Sequence, residues 1–160
     1  RLMVKERLYT SVITLYLEVF GSMESFWLRM QYILAMINKK IALVACVAEK
    51  QDFSCSAKDM YISKEFKFWM KYAFDWGANK TFILSGKYGL LDLEEKIEPY
   101  DFNLNLQPME YRRLWAENVL SKLEQKTSFT RDHFLILSNH IYAKGLVRSF
   151  KHYDMPLNIQ

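Results

Sequence analysis

Residues 39–46 read Lys-Lys-Ile-Ala-Leu-Val-Ala-Cys, an unbroken apolar run behind two lysines. A short run without polar alternation marks a strand buried on both faces. Thr81-Phe82-Ile83-Leu84 and His133-Phe134-Leu135-Ile136-Leu137 repeat the pattern. Between the first two runs, Phe66, Trp69, Met70, Ala73 and Trp76 recur at three- and four-residue spacing, with Ser63 as N-cap and Gly77 past the end; this predicts a helix over Lys64–Trp76. Tyr111, Trp115, Val119 and Leu123, behind Pro108 in the first turn, predict a second helix. Ile141, Tyr142, Gly145, Leu146, Ser149 and Phe150 predict a third. Strands alternating with helices imply a three-layer α/β fold, a mostly parallel central sheet with right-handed crossovers and flanking helices. Leu90–Leu106 reads as mostly irregular, and Pro156-Leu157-Asn158-Ile159 as the opening of a fourth strand that the chain leaves incomplete.

Upstream, residues 1–35 are rich in Leu, Tyr, Met and Phe without a clean period, and Met36 resembles a natural start. They are expected to be a helical appendage, a partner-binding arm able to pair two copies, or an extension, with the α/β domain over 36–160.

The composition narrows the classes. Of 160 residues, 51% are hydrophobic and 25% charged, which excludes a disordered tail, a collagen-like repeat or a flexible linker protein. Five Gly and three Pro are too few for a many-turned all-β chain. Lys and Arg number 22 against 18 Asp and Glu, a net charge of +4 that permits an anionic partner without requiring one. Cys46 and Cys55 cannot make a disulfide framework, so a reducing cytoplasm is expected. His133, His140 and His152 lack metal-ligand spacing, so neither metal nor cofactor is expected. Leu8–Phe20 contains Glu18 and Ser25–Ile37 contains Arg29, which argues against a membrane span.

In an open parallel sheet, ligands bind outside the carboxyl ends of the strands. Three loops are therefore singled out: Cys46 with Lys50, then Ser85-Gly86-Lys87-Tyr88-Gly89, then Ser138-Asn139-His140 leading to Tyr142. Gly86 and Gly89 let the second loop turn sharply, Lys87 offers charge and Tyr88 a stacking face, although spacing alone favours an ordinary tight turn with Tyr88 in the core. Glu98-Pro99-Tyr100-Asp101 sets two carboxylates beside a rigid proline, as general base and orienter or as a plain surface turn. The candidate catalytic residues are Asp101, Glu98, Lys87 and Cys46, with His140 placed to serve the same crevice. Lys144, Arg148 and Lys151 fall at i, i+4 and i+7 on the predicted last helix, either a basic stripe for nucleic-acid phosphates or a solvated face. Lys50, Lys87, Tyr88 and Asp101 are expected to converge on one pocket at the sheet edge.

Taken together, Cys46 with Lys50, AKDMYISKEF (57–66), ILSGKYGLLD (83–92) and IEPYD (97–101) resemble a bacterial and phage family of unknown function, with the signatures C-x-x-K, LYxSxxF, LSAKYGLL and EPYD. More distantly, Leu84–Leu91 and Pro99–Leu104 are similar to a block of the YaaA peroxide-stress family, associated with DNA binding. The pattern of strand ends is similar to a domain of archaeosine synthase, which acts on a deazaguanine base; Gly86 and Lys87 depart from its proline-rich version. The resemblance implies a nucleobase, nucleotide or nucleic-acid ligand at the strand ends and raises Cys46, Lys50, Ser63, Ser85, Lys87, Tyr88, Glu98, Tyr100 and Asp101 as site residues. Two functional classes stay open, a nucleotide-binding domain acting on a base or glycosidic bond and a non-catalytic DNA-, RNA- or protein-binding module.

Overall fold

The chain divides into two units, Arg1–Ile37 and Asn38–Gln160. The computed structural model describes Trp27 and residues 38–156; the expectations placed on residues 1–35, pairing of two copies included, and on 157–159 lie outside the described residues. In chain order the elements are β1 (Lys40–Ala45), β2 (Cys55–Ser56), α1 (Ala57–Met60), α2 (Lys64–Asp75), β3 (Lys80–Ser85), β4 (Gly89–Asp92), β5 (Lys96–Ile97), α3 (Met109–Glu124), β6 (His133–Leu137), α4 (His140–Lys144) and β7 (His152–Asp154). Short 3-10 turns lie at Leu104–Leu106 and Val147–Ser149.

The three apolar runs form the predicted strands at the centre of a five-stranded sheet of order β4-β3-β1-β6-β7. Val44 of β1 lies opposite Ile83 of β3 and Leu137 of β6, both pairings parallel. Ile41–Ala45, Phe82–Ser85 and Phe134–Leu137 are buried throughout, as runs covered on both faces must be. The fold is thus α/β with a mostly parallel sheet. The chain leaves β1 for β3 on one side and then crosses back to β6 on the other, an order for which the right-handed rule of parallel crossovers expects α2 and α3 on opposite faces.

Each helix is made by signals visible in the chain. Ser63 Oγ accepts the Phe66 N–H at 3.1 Å and caps α2. Past its end Gly77 takes φ +81°, a conformation glycine adopts without a Cβ clash. Phe66, Trp69 and Ala73 carry its buried face. In α3, which follows Pro108, Trp115, Ala116, Val119 and Leu123 are buried, and Trp115 Nε1 donates to the Ser85 carbonyl at 2.8 Å.

Leu90–Leu106 is mostly irregular, as expected, but it also holds two short strands: Gly89, at φ +76°, folds the chain back so that Leu90 and Leu91 pair antiparallel with Leu84 and Ile83 as β4, and Lys96–Ile97 form β5. The last helix does not run to Phe150. It ends at Lys144, and Gly145 lies so near α3 that a Cβ there would come within 2.5 Å of Ala116 Cβ. Lys144, Arg148 and Lys151 are each exposed but belong to α4, the second 3-10 turn and the bend before β7, not to one helical stripe. A fourth parallel strand, β7, lies just before Pro156 and sets Tyr153 opposite Phe134.

Candidate functional site

β1 leads to β3 on one side and β6 leads to β7 on the other, so the loops that follow β1 and β6 part at the carboxyl edge of the sheet. A cleft of about 710 Å³ opens there, within the range of small-molecule sites. Cys46 and Lys50 line it from the loop after β1, and Ser138, Asn139 and His140 from the loop after β6. Asp101, Asn103 and Asn105 enter from the segment after β5, and Glu65 and Trp69 from α2. Asn139 also caps α4, its Oδ1 accepting the Ile141 and Tyr142 N–H groups at 3.0 and 3.3 Å.

A buried polar network adjoins this cleft. The Tyr100 hydroxyl lies 2.7 Å from Ser85 Oγ and 2.8 Å from the Tyr61 hydroxyl, and Ser85 Oγ accepts the Tyr88 N–H at 3.1 Å. The Tyr142 hydroxyl lies 3.2 Å from Cys46 Sγ. Burial first, and the charge of a Cys46 thiolate second, hold the phenols of Tyr61, Tyr100 and Tyr142 well above the ordinary tyrosine range. Gly86 is what lets these groups close together, since a Cβ there would meet the Tyr142 hydroxyl at 3.0 Å and both Leu104 and Phe102 at 3.2 Å. Backbone pairing fixes the two loops that bear Lys50 and Asp101. Lys50 bridges Tyr61 antiparallel, and β2 pairs with β5, Cys55 opposite Ile97.

Of the residues singled out in the sequence, Cys46, Lys50, Asp101, Asn139 and Tyr142 line the cleft. Ser85 and Tyr100 belong to the hydroxyl network, Ser63 caps α2, and Gly86 and Gly89 shape the backbone. The expected convergence of four residues holds for Lys50 and Asp101; Lys87 and Tyr88 do not line the cleft. The Gly86–Gly89 turn runs directly into antiparallel β4 and carries those two residues to Tyr100 instead. Tyr88 packs edge-on against Tyr100 at 5.2 Å, and Lys87 Nζ lies 5.5 Å from the Tyr100 ring centre. Glu98 does not line the cleft either; its side chain is exposed and its carbonyl accepts the Tyr88 hydroxyl at 3.3 Å. Asp101 is therefore the one carboxylate of that pair at the cleft.

Glu65, Trp69, Phe102, Asn103 and Asn105 were not singled out, and they complete the walls. Glu65 and Trp69 share a helical face at i, i+4; in the sequence Trp69 reads only as part of the apolar stripe of α2. Trp69 is 7% exposed, and its indole N–H is one of two buried side-chain polar groups without a hydrogen-bond partner among the described residues, with the Ser54 hydroxyl.

Among the described residues no cluster of three or more His, Cys, Asp or Glu has metal-holding geometry, and no helix is long and apolar enough to cross a membrane. No curated protein and no solved structure matches the chain at a significant level. Residues 41–159, a span that runs from β1 past β7, match the model of a family of unknown function, and the chain belongs to that family, DUF6884.

Proposed function

We propose that the domain binds a ligand bearing a nucleobase in the cleft between the β1 and β6 loops. The observation that carries the reading is the makeup of that one cleft. The amides of Asn103, Asn105 and Asn139 and the carboxylate of Asp101 offer the donors and acceptors that pair with a base edge, while Phe102 and Trp69 supply aromatic walls. The unpartnered Trp69 N–H supports it, because a buried donor without an acceptor costs about 1–3 kcal/mol until something accepts from it. The sequence likenesses to YaaA and to the archaeosine synthase domain point to the same ligand class, and free Cys46 and Cys55 suit a reducing cytoplasm. Lys144, Arg148 and Lys151, split over three segments, give the alternative of nucleic-acid binding less support than a single basic stripe would.

For a glycosidic bond held in the cleft, Asp101 is the group assigned to stabilise positive charge on the sugar and His140 the one to donate to the departing base, among lining titratable groups that also include Glu65, Cys46, Lys50 and Tyr142. Calorimetric titration with bases and nucleosides tests binding, with Asp101→Asn and Asn139→Ala as variants. Saturable binding weakened by either substitution is the expected result. Wild-type protein that binds no base or nucleoside, or variants that bind as wild type does, would remove the reading. Release of free base by wild type and not by Asp101→Asn would add the reaction to the binding.

A further inference from the structure

Lys50 and Lys87 come from different loops, yet both hold their ammonium groups over the same ring. Lys50 Nζ lies 4.6 Å and Lys87 Nζ 5.5 Å from the centre of Tyr100. Tyr61 and Tyr88 extend the aromatic surface, at 6.0 Å from Lys50 Nζ and 5.0 Å from Lys87 Nζ. Tyr100 is a fixed support, because its hydroxyl is tied to Ser85 and Tyr61. Two like charges held to one ring lie at most about 10 Å apart and repel each other, while cation–π attraction draws each toward the ring. The usual remedy is a carboxylate, and it is missing. The ion pairs among the described residues use other lysines, Arg113 and His133, while Lys50 Nζ donates to the Ala48 carbonyl at 3.1 Å. Lys50 also lines the cleft, so an anion held by this pair would adjoin whatever the cleft contains.

We infer that Lys50 and Lys87 form a phosphate subsite at the edge of the cleft, and that the ligand is a nucleoside phosphate rather than a free base or nucleoside. The base half of this statement rests on the function proposed above; the phosphate half stands on the lysine pair alone. A phosphoryl group shared by two ammonium groups removes their repulsion and forms charge-assisted hydrogen bonds with both. Lys87 thereby acquires a binding role in place of the catalytic one expected from sequence.

Inorganic pyrophosphate is the probe that needs no nucleobase. Titrated into the whole chain, it is expected to bind wild type, with affinity falling as salt rises. Lys50→Gln and Lys87→Gln should each weaken binding about tenfold, as loss of one charge-assisted contact does, while Lys122→Gln, an exposed lysine on α3, should leave it unchanged. All three variants keep a polar side chain, and equal melting temperatures check that they fold. Absence of pyrophosphate binding, or binding by Lys50→Gln and Lys87→Gln as tight as that of wild type, overturns the subsite. A second arm compares nucleosides with their mono- and diphosphates. Tighter binding of the phosphates, with the excess lost in Lys87→Gln and nucleoside affinity retained, bears out the full proposal. Equal affinity for nucleoside and nucleotide overturns the subsite and leaves the cleft reading intact. Lysine-dependent pyrophosphate binding without any nucleoside or nucleotide binding keeps the subsite and removes the nucleobase.

Discussion

Cys46 Sγ lies 3.2 Å from the Tyr142 hydroxyl, a contact that joins the residue after β1 to α4 at the wall of the cleft. Cys46→Ala and Tyr142→Phe are each expected to cost about 0.5–1.5 kcal/mol of stability, with the double variant costing less than the two together. Additive losses in urea denaturation would show the contact to be energetically silent.

Gly145→Ala should destabilise the fold although alanine favours helix, because its Cβ would meet Ala116 Cβ at 2.5 Å. Overpacking of this kind costs about 1–3 kcal/mol. Adding Ala116→Gly reopens the space and should recover part of the loss, less about 1 kcal/mol for a glycine inside α3. A double variant less stable than Gly145→Ala alone would refute the crowding.

The three buried phenols set an alkaline limit. Tyr61, Tyr100 and Tyr142 titrate above the ordinary 10.0 when folded, chiefly because burial disfavours the phenolate. A raised value means that their stabilising contribution is complete below pH 10.0 and declines as pH rises from there toward the folded values. Tyrosinate absorbance should show these phenols ionising only as the chain unfolds. Tyr61→Phe, which has no phenol to ionise, should lose less stability per pH step in that range than wild type does.

Asp92 works in the opposite direction. The hydrogen bond from Lys126, together with Lys80 at 3.1 Å, holds its carboxyl below the ordinary 3.8. That contribution is present above pH 3.8 and disappears as pH falls through the lower folded value. The group is partly solvated, so Asp92→Asn should cost at most about 1 kcal/mol at neutral pH. The difference from wild type should vanish in acid; one that persists there would assign the loss to packing.

The elements legible in the chain are those whose cause is local. β1, β3 and β6 announce themselves as apolar runs, and α2 carries its own cap at Ser63 and its own stop at Gly77. β4 and β7 are strands by pairing rather than by composition. Leu90-Leu91-Asp92 follows a turn and becomes a strand because β3 lies beside it, and His152-Tyr153-Asp154 is exposed at every residue. The cleft divides in the same way. Strand-end position pointed to Cys46, Lys50 and Asn139, and the EPYD stretch to Asp101. Trp69 carries an apolar period whose meaning changes only where α2 crosses the edge of the sheet, and Lys87 needed the antiparallel course of β4, which a two-glycine turn does not disclose.

Tyr100 is joined through its hydroxyl to Ser85 and Tyr61, and it directly precedes Asp101 in the chain, while Tyr61 bridges Lys50. It therefore acts as a rivet through both loops, beside the β2–β5 pairing that also joins them. Motion of Asp101 is thereby coupled to Lys50. The mouth of the cleft breathes as one leaf: the amides of the segments around Lys50 and Tyr100 should exchange with solvent at a common rate, and Tyr100→Phe, which draws the rivet and keeps the ring, should let the two rates separate.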